Sequence, residues 1–131
     1  EGTDGNQYTV LYVEDNPDNL ELVQRILSKQ NNIKFLPATL AKEGIDLARA
    51  YRSQLILMDI NLPDMSGIEA LEKLKSFDET REIPVIAVSA NAMKADISRA
   101  MTPGFTDYIV KPIHIIGFIK TIDTVLTKKI G

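Results

Sequence analysis

The chain has 131 residues, close to the commonest size of a single domain, and its 44% of hydrophobic residues exclude a disordered chain. Its net charge is -3 and charges of both signs are interspersed, which argues against nucleic-acid binding. No apolar run approaches the ~18 residues of a transmembrane helix, which argues against a membrane span. Cysteine is absent and His114 is the only histidine, so disulfides, thiolate sites and multi-histidine metal sites are excluded.

Two patterns of apolar residues alternate after the polar segment at residues 1–7. Short, nearly continuous apolar runs predict strands that are buried on both faces. Longer stretches with apolar residues three or four positions apart predict amphipathic helices. In chain order the predicted elements are a strand over residues 9–13, a helix over 17–27, a strand over 33–38, a helix over 41–52, a strand over 55–58, a helix over 68–77, a strand over 85–88, a helix over 92–101, a strand over 108–110 and a helix over 115–126.

Strict alternation of strand and helix predicts an α/β fold in which helices cover both faces of a parallel sheet, a three-layer α/β/α sandwich. The crossovers should be right-handed. Residues that start and stop helices agree with this order. Asn16 and Pro17 suit the cap and first residue of the first helix, and Pro103 with Gly104 suits the end of the fourth.

Polar residues collect where the predicted strands end. Glu14 and Asp15 follow the first strand, Asp59 the third, Ser89 the fourth and Lys111 the fifth. The carboxyl ends of parallel strands share one edge of the sheet, where ligands bind in open α/β folds. We therefore expect these five side chains to converge in one crevice.

The chemistry of this set points to phosphoryl transfer. Crowded carboxylates repel one another by roughly 4 kcal/mol per pair at ~4 Å and an effective dielectric of ~20. Mg²⁺ offsets such repulsion, because it binds one or two carboxylates and shares phosphate oxygens. With the charge of Lys111 and the hydroxyl of Ser89 opposite the ion, a phosphoryl group on Asp59 would be neutralised from both sides.

The same residues, with Pro112 after Lys111, resemble the signature of response-regulator receiver domains. Segments 58–67 and 107–112 resemble it too, and the likeness extends over about residues 8–126. Segment 89–93 is similar to receivers that are fused to, or partnered with, hybrid sensor histidine kinases. The resemblance implies a flavodoxin-like (βα)5 fold with a five-stranded parallel sheet in the order 2-1-3-4-5.

The family's metal and phosphoryl chemistry carries over position by position. The resemblance implies that Asp59 is the phosphoacceptor and that Lys111 pairs with the phosphoryl group. It also implies that Asp15, Asp59 and the backbone carbonyl of Asn61 bind Mg²⁺, with Mn²⁺ as a substitute. Glu14 would act on the metal ion through water.

The resemblance also implies a conformational switch. Ser89 would move towards the phosphoryl group, and Tyr108 would turn inward into the space that Ser89 leaves. Pro112 would form a cis peptide with Lys111. The output surface, and a candidate homodimer interface, would be the face made by the predicted helix over residues 92–101, the fifth strand and the last helix.

We expect a receiver domain over residues 8–128, a linker at residues 1–7 and a tail at 129–131. As a receiver it would be a cytoplasmic signalling domain rather than an enzyme with turnover. Its phosphoryl donor would be a histidine kinase or a histidine phosphotransfer protein, and it would contact neither nucleic acid nor membrane. A stand-alone regulator and a fragment of a hybrid kinase both fit the sequence.

Three alternatives compete with phosphorylation signalling. A receiver-shaped binding module that is never phosphorylated would lack the acceptor or the lysine, and this chain keeps both. A phosphatase with an aspartate nucleophile usually has a second aspartate two residues later, where this chain has Asn61. A flavin carrier needs a phosphate-binding loop after the first strand, where Glu14 and Asp15 would repel phosphate.

Overall fold

The structure, a computed structural model, describes residues 8–30, 32–90 and 104–130, with the side chains of 127–130 excepted. The predicted helix over residues 92–101 and Pro103 lie outside the described residues. Within the described residues, strands and helices follow the predicted order, and the predicted strand ends agree with the observed ones to within one residue. The described elements are β1 (Tyr8–Val13), α1 (Pro17–Ser28), β2 (Ile33–Ala38), α2 (Ala41–Tyr51), β3 (Leu55–Asp59), α3 (Gly67–Ser76), β4 (Val85–Ser89), β5 (Asp107–Val110) and α4 (Ile115–Ile130).

The five strands form one parallel sheet in the order β2-β1-β3-β4-β5, which confirms the order implied by the family resemblance. The strands are in register at their carboxyl ends. Val13 pairs with Met58, and Asp59 pairs with Val88 on the next strand. Ser89 in turn pairs with Val110. The strand ends that carry the predicted site are therefore level with one another along one edge.

The apolar core lies on both faces of the sheet, because successive side chains of a strand point to opposite sides. In β1, Leu11 and Val13 pack with α2 and α3, whereas Val10 and Tyr12 pack with α1 and α4. This confirms the three-layer arrangement. Within the described ranges, no helix combines the length and apolar character needed to cross a bilayer.

Side-chain caps fix where two helices next to the strand ends begin. The Asn16 side chain accepts hydrogen bonds from the backbone N–H groups of Asp18 and Asn19, and Pro17 is the first residue of α1, as predicted. The Ser66 hydroxyl accepts the N–H of Glu69 at the start of α3. Both caps hold a helix N-terminus just beyond the carboxyl edge of the sheet.

Helix α2 approaches β1 closely at Gly44. A β-carbon at this position would lie 2.4 Å from Cγ2 and 3.3 Å from Cγ1 of Val13. Val13 is the last residue of β1, directly before Glu14. The absence of a side chain at residue 44 therefore sets how closely α2 packs beside the strand that carries two of the predicted site residues.

Replacing Gly44 with alanine should destabilise the fold by about 1–3 kcal/mol, because the added methyl overpacks the contact with Val13. Gly117 in α4 is the matched control, since a β-carbon there would meet nothing within 4 Å. Gly117→Ala should stabilise by up to about 1 kcal/mol through helix propensity. Urea unfolding followed by circular dichroism measures both changes, and a stabilising Gly44→Ala would contradict the packing argument.

Candidate functional site

The predicted site residues lie where the strand register places them. Glu14 and Asp15 follow β1, Asp59 ends β3, Ser89 ends β4 and Lys111 follows β5. Direct contacts link three of them, the two carboxylates of Glu14 and Asp59 and the ammonium of Lys111. An open cleft of about 580 Å³ at this edge is lined by residues that include Glu14, Asp15, Asp59, Asn61 and Lys111.

Lys111 bridges the two buried carboxylates. Its Nζ lies 2.8 Å from Glu14 Oε1 and 3.2 Å from Asp59 Oδ2. The side chains of Glu14 and Asp59 are only 1% and 5% exposed, while that of Lys111 is 20% exposed. A carboxylate buried this deeply needs a charged partner and hydrogen bonds, because water no longer solvates it.

Glu14 has a full set of protein donors. Its Oε1 accepts hydrogen bonds from the Tyr12 hydroxyl at 2.7 Å and the Asn19 amide at 3.4 Å, in addition to Lys111. Its Oε2 accepts the backbone N–H of Asn16 at 3.2 Å. From the sequence, Tyr12 is predicted only as one residue of the buried strand over residues 9–13. The signal that could have revealed this contact is the spacing, because residues two apart in a strand share a face.

The Asp59 carboxylate is held from two sides. Its Oδ1 accepts the backbone N–H of Asn61 at 3.0 Å, and its Oδ2 faces the Lys111 ammonium. Burial, and then the closeness of the Glu14 carboxylate, raises the pKa of Asp59 to about 6. The Asn61 N–H and the Lys111 charge act in the opposite direction.

The same crowding shifts the pKa values of Glu14 and Lys111. Burial acts to raise the pKa of Glu14, but its interactions with Asp59 and Lys111 outweigh burial and lower that pKa. Burial also acts to lower the pKa of Lys111, but the hydrogen bond to Glu14 and the Asp59 charge raise it. Charge on one carboxylate therefore opposes charge on the other, and one ammonium group does not neutralise both.

A cation fits the remaining negative charge. Glu14, Asp15 and Asp59 each offer a carboxylate oxygen, and the three oxygens lie within 4.8 Å of one another. All three line the cleft, but Asp15 is exposed to solvent whereas Glu14 and Asp59 are buried. Carboxylate oxygens with room for water are the surroundings that Mg²⁺ prefers. Within the described part of the chain, this acidic cluster is the one group with metal-binding geometry.

The loop after β3, which carries Asn61, is anchored to α2 by a contact that sequence reasoning missed. Asp64 accepts the backbone N–H groups of Ala41 and Lys42, both at 2.9 Å, at the start of α2. At the other end of the loop, a β-carbon on Gly67 would lie 2.8 Å from the backbone oxygen of Asp59. The Gly67 N–H also donates to the Ile60 carbonyl oxygen at 2.8 Å, so contacts at Asp64 and at the junction with α3 hold the loop beside the cleft.

The residues of the predicted switch lie on neighbouring strands. Ser89 is 3% exposed at the end of β4. Tyr108 is half-buried on β5 and packs against the core on the side of α2 and α3. The peptide bond between Lys111 and Pro112 is cis. The connection that follows β4 lies in residues 91–103, outside the described residues.

The fold and the acidic cleft together define a signalling domain of the receiver class. A family model described as "Response regulator receiver domain" matches residues 10–123 of the chain. The chain therefore belongs to the response-regulator receiver family. Proteins of this family are the receiver components of two-component systems, and they act together with histidine kinases or phosphotransfer proteins.

Individual relatives agree with this assignment. The polar-differentiation response regulator DivK of Brucella anthropi is 46% identical over 118 residues, which are 90% of this chain and 95% of the relative. The receiver domain of sensor histidine kinase PA1611 from Pseudomonas aeruginosa, solved with a magnesium ion coordinated in its active-site cleft, superposes with a TM-score of 0.84. It is 26% identical, and the match covers 92% of this chain and 98% of that one.

A third relative supports the fold alone. The chemotaxis response regulator CheY4 of Vibrio cholerae has a TM-score of 0.84 at 22% identity, over 91% of this chain and 98% of that one.

Removing the Asp64 cap should destabilise the protein without touching the acidic cluster. Asp64→Ala should cost about 1 kcal/mol at neutral pH, because two N–H groups at the start of α2 lose their acceptor. Slight burial acts to raise the pKa of Asp64, but the N–H groups of Lys42 and Ala41 hold it below its usual range. The Asp64 contribution is therefore present above the unfolded pKa of ~3.9 and is lost as pH falls through the lower folded value.

Urea unfolding of wild type and Asp64→Ala at pH 7 and near pH 3 measures this effect, and the difference in stability should shrink at the lower pH. Asp123→Ala removes an exposed carboxylate from α4 and serves as the control. It should change stability by less than about 0.5 kcal/mol. Equal stability of Asp64→Ala and wild type at pH 7 would show that the cap does not contribute.

Proposed function

We propose that the chain accepts a phosphoryl group from a phosphohistidine onto Asp59 in a Mg²⁺-dependent reaction. The P–N bond to the donor imidazole breaks, the bond from an Asp59 carboxylate oxygen to phosphorus forms, and the imidazole nitrogen keeps the electron pair. The observation that carries this proposal is that the Asp59 carboxylate contacts the Lys111 ammonium and belongs to the same acidic cluster as Glu14 and Asp15.

The geometry at Asp59 suits a nucleophile. The hydrogen bond from the Asn61 N–H to Oδ1 fixes the orientation of the carboxylate, so that little reorganisation precedes attack. Lys111 Nζ, 3.2 Å from Oδ2, is placed to neutralise charge on the transferred phosphoryl oxygens. Ser89, at the end of the neighbouring strand, would donate its hydroxyl to another of those oxygens.

Asp15, Asp59 and the backbone carbonyl of Asn61 would hold Mg²⁺, with Glu14 acting through water, and Mn²⁺ would be accepted at the same site. The bound ion would neutralise the crowded carboxylates and the oxygens of the phosphoryl group. Asp15 is the carboxylate of the cluster that faces solvent, and Glu14 already has donors on both oxygens. This contrast supports direct binding by Asp15 and an indirect role for Glu14.

Phosphorylation would switch the output surface implied by the family resemblance, which comprises β5, α4 and the predicted helix over residues 92–101, outside the described residues. The phosphoryl group adds about -1.5 to -2 charges, by analogy with phosphorylated hydroxyl side chains, and new acceptor oxygens. The Ser89 hydroxyl would move towards these oxygens, and Tyr108 would turn inward and change the exposed face. The same face would serve contact between two copies of the chain.

Two alternative functions receive less support. A binding module that is never phosphorylated has no need for a phosphoacceptor and a lysine in contact within an acidic cluster. Asp59 and Lys111 are in contact here, which favours phosphorylation. A phosphatase would need a general acid two residues after Asp59, and Asn61 has no acidic group. We therefore propose a cytoplasmic signalling domain over residues 8–128, whose own chemistry is limited to its phosphorylation and slow dephosphorylation.

Incubation with Mg²⁺ and phosphoramidate should add one phosphoryl group to the wild-type chain and none to Asp59→Asn. The amide cannot serve as the nucleophile, although it preserves the size of the side chain. Intact-protein mass spectrometry measures the adduct, and a chelator should abolish it in wild type. Asp123→Asn, an exposed aspartate on α4, is the control and should be modified as wild type is. An adduct that persists on Asp59→Asn would rule out this acceptor.

Asp15→Asn should weaken Mg²⁺ binding at least about tenfold, because a neutral amide replaces a directly bound carboxylate. Asp18→Asn is the matched control, since Asp18 also lines the cleft but is not part of the acidic cluster. Isothermal titration with Mg²⁺ gives both dissociation constants. Equal weakening in the two variants would mean that general charge near the cleft, rather than ligation by Asp15, binds the ion.

A further inference from the structure

We propose that Tyr12 is a positioning residue for this site. Its hydroxyl holds the buried Glu14 carboxylate in the orientation that keeps the Lys111 ammonium shared between Glu14 and Asp59. This inference rests on the proposed function, because it assigns a role within the same metal and phosphoryl site.

Tyr12 is a rigid donor. Its side chain is completely buried in the core between the sheet, α1 and α4. Tyr12 is the second-last residue of β1, and Glu14 directly follows the strand, so the extended backbone places the two side chains on the same side of the chain. The packed ring fixes the position of the hydroxyl, which donates to Glu14 Oε1 at 2.7 Å. A side chain packed in the core therefore contacts a residue of the site at the carboxyl edge of the sheet.

Tyr12 and Lys111 are the two close donors to the same oxygen. Lys111 Nζ lies 2.8 Å from Glu14 Oε1, whereas the Asn19 amide is more distant at 3.4 Å. The same ammonium contacts Asp59 Oδ2 at 3.2 Å. Contacts therefore run without a break from the Tyr12 hydroxyl through Glu14 and Lys111 to Asp59.

Removing the hydroxyl should shift this chain of contacts. Glu14 Oε1 would keep Lys111 as its one close donor, so the carboxylate and the ammonium would draw together. The ammonium would then move away from Asp59, and the Glu14 carboxylate would turn away from the cluster of oxygens that can hold the ion. Mg²⁺ should bind less tightly, and phosphorylation should be slower even when Mg²⁺ is saturating.

The test is a double-mutant cycle on the full chain with Tyr12→Phe, Glu14→Gln and the double variant. Titration with Mg²⁺ alone, followed by calorimetry or amide chemical shifts, gives the four dissociation constants. Tyr12→Phe should weaken Mg²⁺ binding about fivefold, the effect of one net hydrogen bond. In the Glu14→Gln background the same substitution should change binding by less than about twofold, because the group through which Tyr12 acts is already altered.

Tyr8→Phe is the matched control, since it removes a phenol hydroxyl from the opposite end of the same strand. It should leave Mg²⁺ binding unchanged, and thermal unfolding in chelator verifies that each variant folds. The rate of phosphorylation by phosphoramidate at saturating Mg²⁺ should fall in Tyr12→Phe and follow the same non-additive pattern.

Distinct results would overturn the inference. Wild-type Mg²⁺ affinity in Tyr12→Phe would show that the hydroxyl does not position Glu14. Equal weakening in both backgrounds would show that Tyr12 acts through general packing. Failure of the wild-type chain to bind Mg²⁺ would overturn the proposed function itself, and the inference with it.

Discussion

Two buried carboxylates share one ammonium group at the carboxyl edge of the sheet, and the arrangement of the site depends on that sharing. Glu14 and Asp59 are almost inaccessible to water, and Lys111 lies within 3.2 Å of both. Without this cation, two anions would be buried side by side at a cost of several kcal/mol. With Lys111 present, the two carboxylates still carry one negative charge that no protein cation in contact with them, among the described residues, neutralises. Asp15 adds a third carboxylate. A divalent cation would offset this excess of negative charge, and with the cation bound the site would also suit a phosphoryl group.

The fold makes this contact by aligning strand ends that are far apart in sequence. Lys111 and Asp59 are separated by 52 residues, yet β1, β3, β4 and β5 end at one level because their parallel registers are matched. Anchors around the edge then restrict the loops. The Asp64 carboxylate caps α2, and Gly67 allows α3 to start directly against the backbone of Asp59. Backbone packing thus fixes where the carboxylates can lie.

Much of this architecture could be predicted, because buried parallel strands are continuous apolar runs and the helices between them are amphipathic. The cap at Asn16 was predicted correctly from its position before Pro17. The strand order came from the family resemblance, since spacing along the chain does not fix which strands are neighbours. The role of Asp64 was missed, because its partners Ala41 and Lys42 precede it by more than 20 residues. A loop aspartate carries no local sign of such a distant cap.

The sequence by itself determined the alternation of strands and helices and the kinds of group that gather at one edge, because local periodicity and residue chemistry encode both. Only the tertiary structure decided which groups touch. It brought the Tyr12 hydroxyl within hydrogen-bonding distance of Glu14 and placed the Lys111 ammonium in contact with two carboxylates. It also lowered the pKa of Glu14 while raising that of Asp59. The physical reason is that burial, donor number and distances of about 3 Å are set by packing and register between segments far apart in the chain.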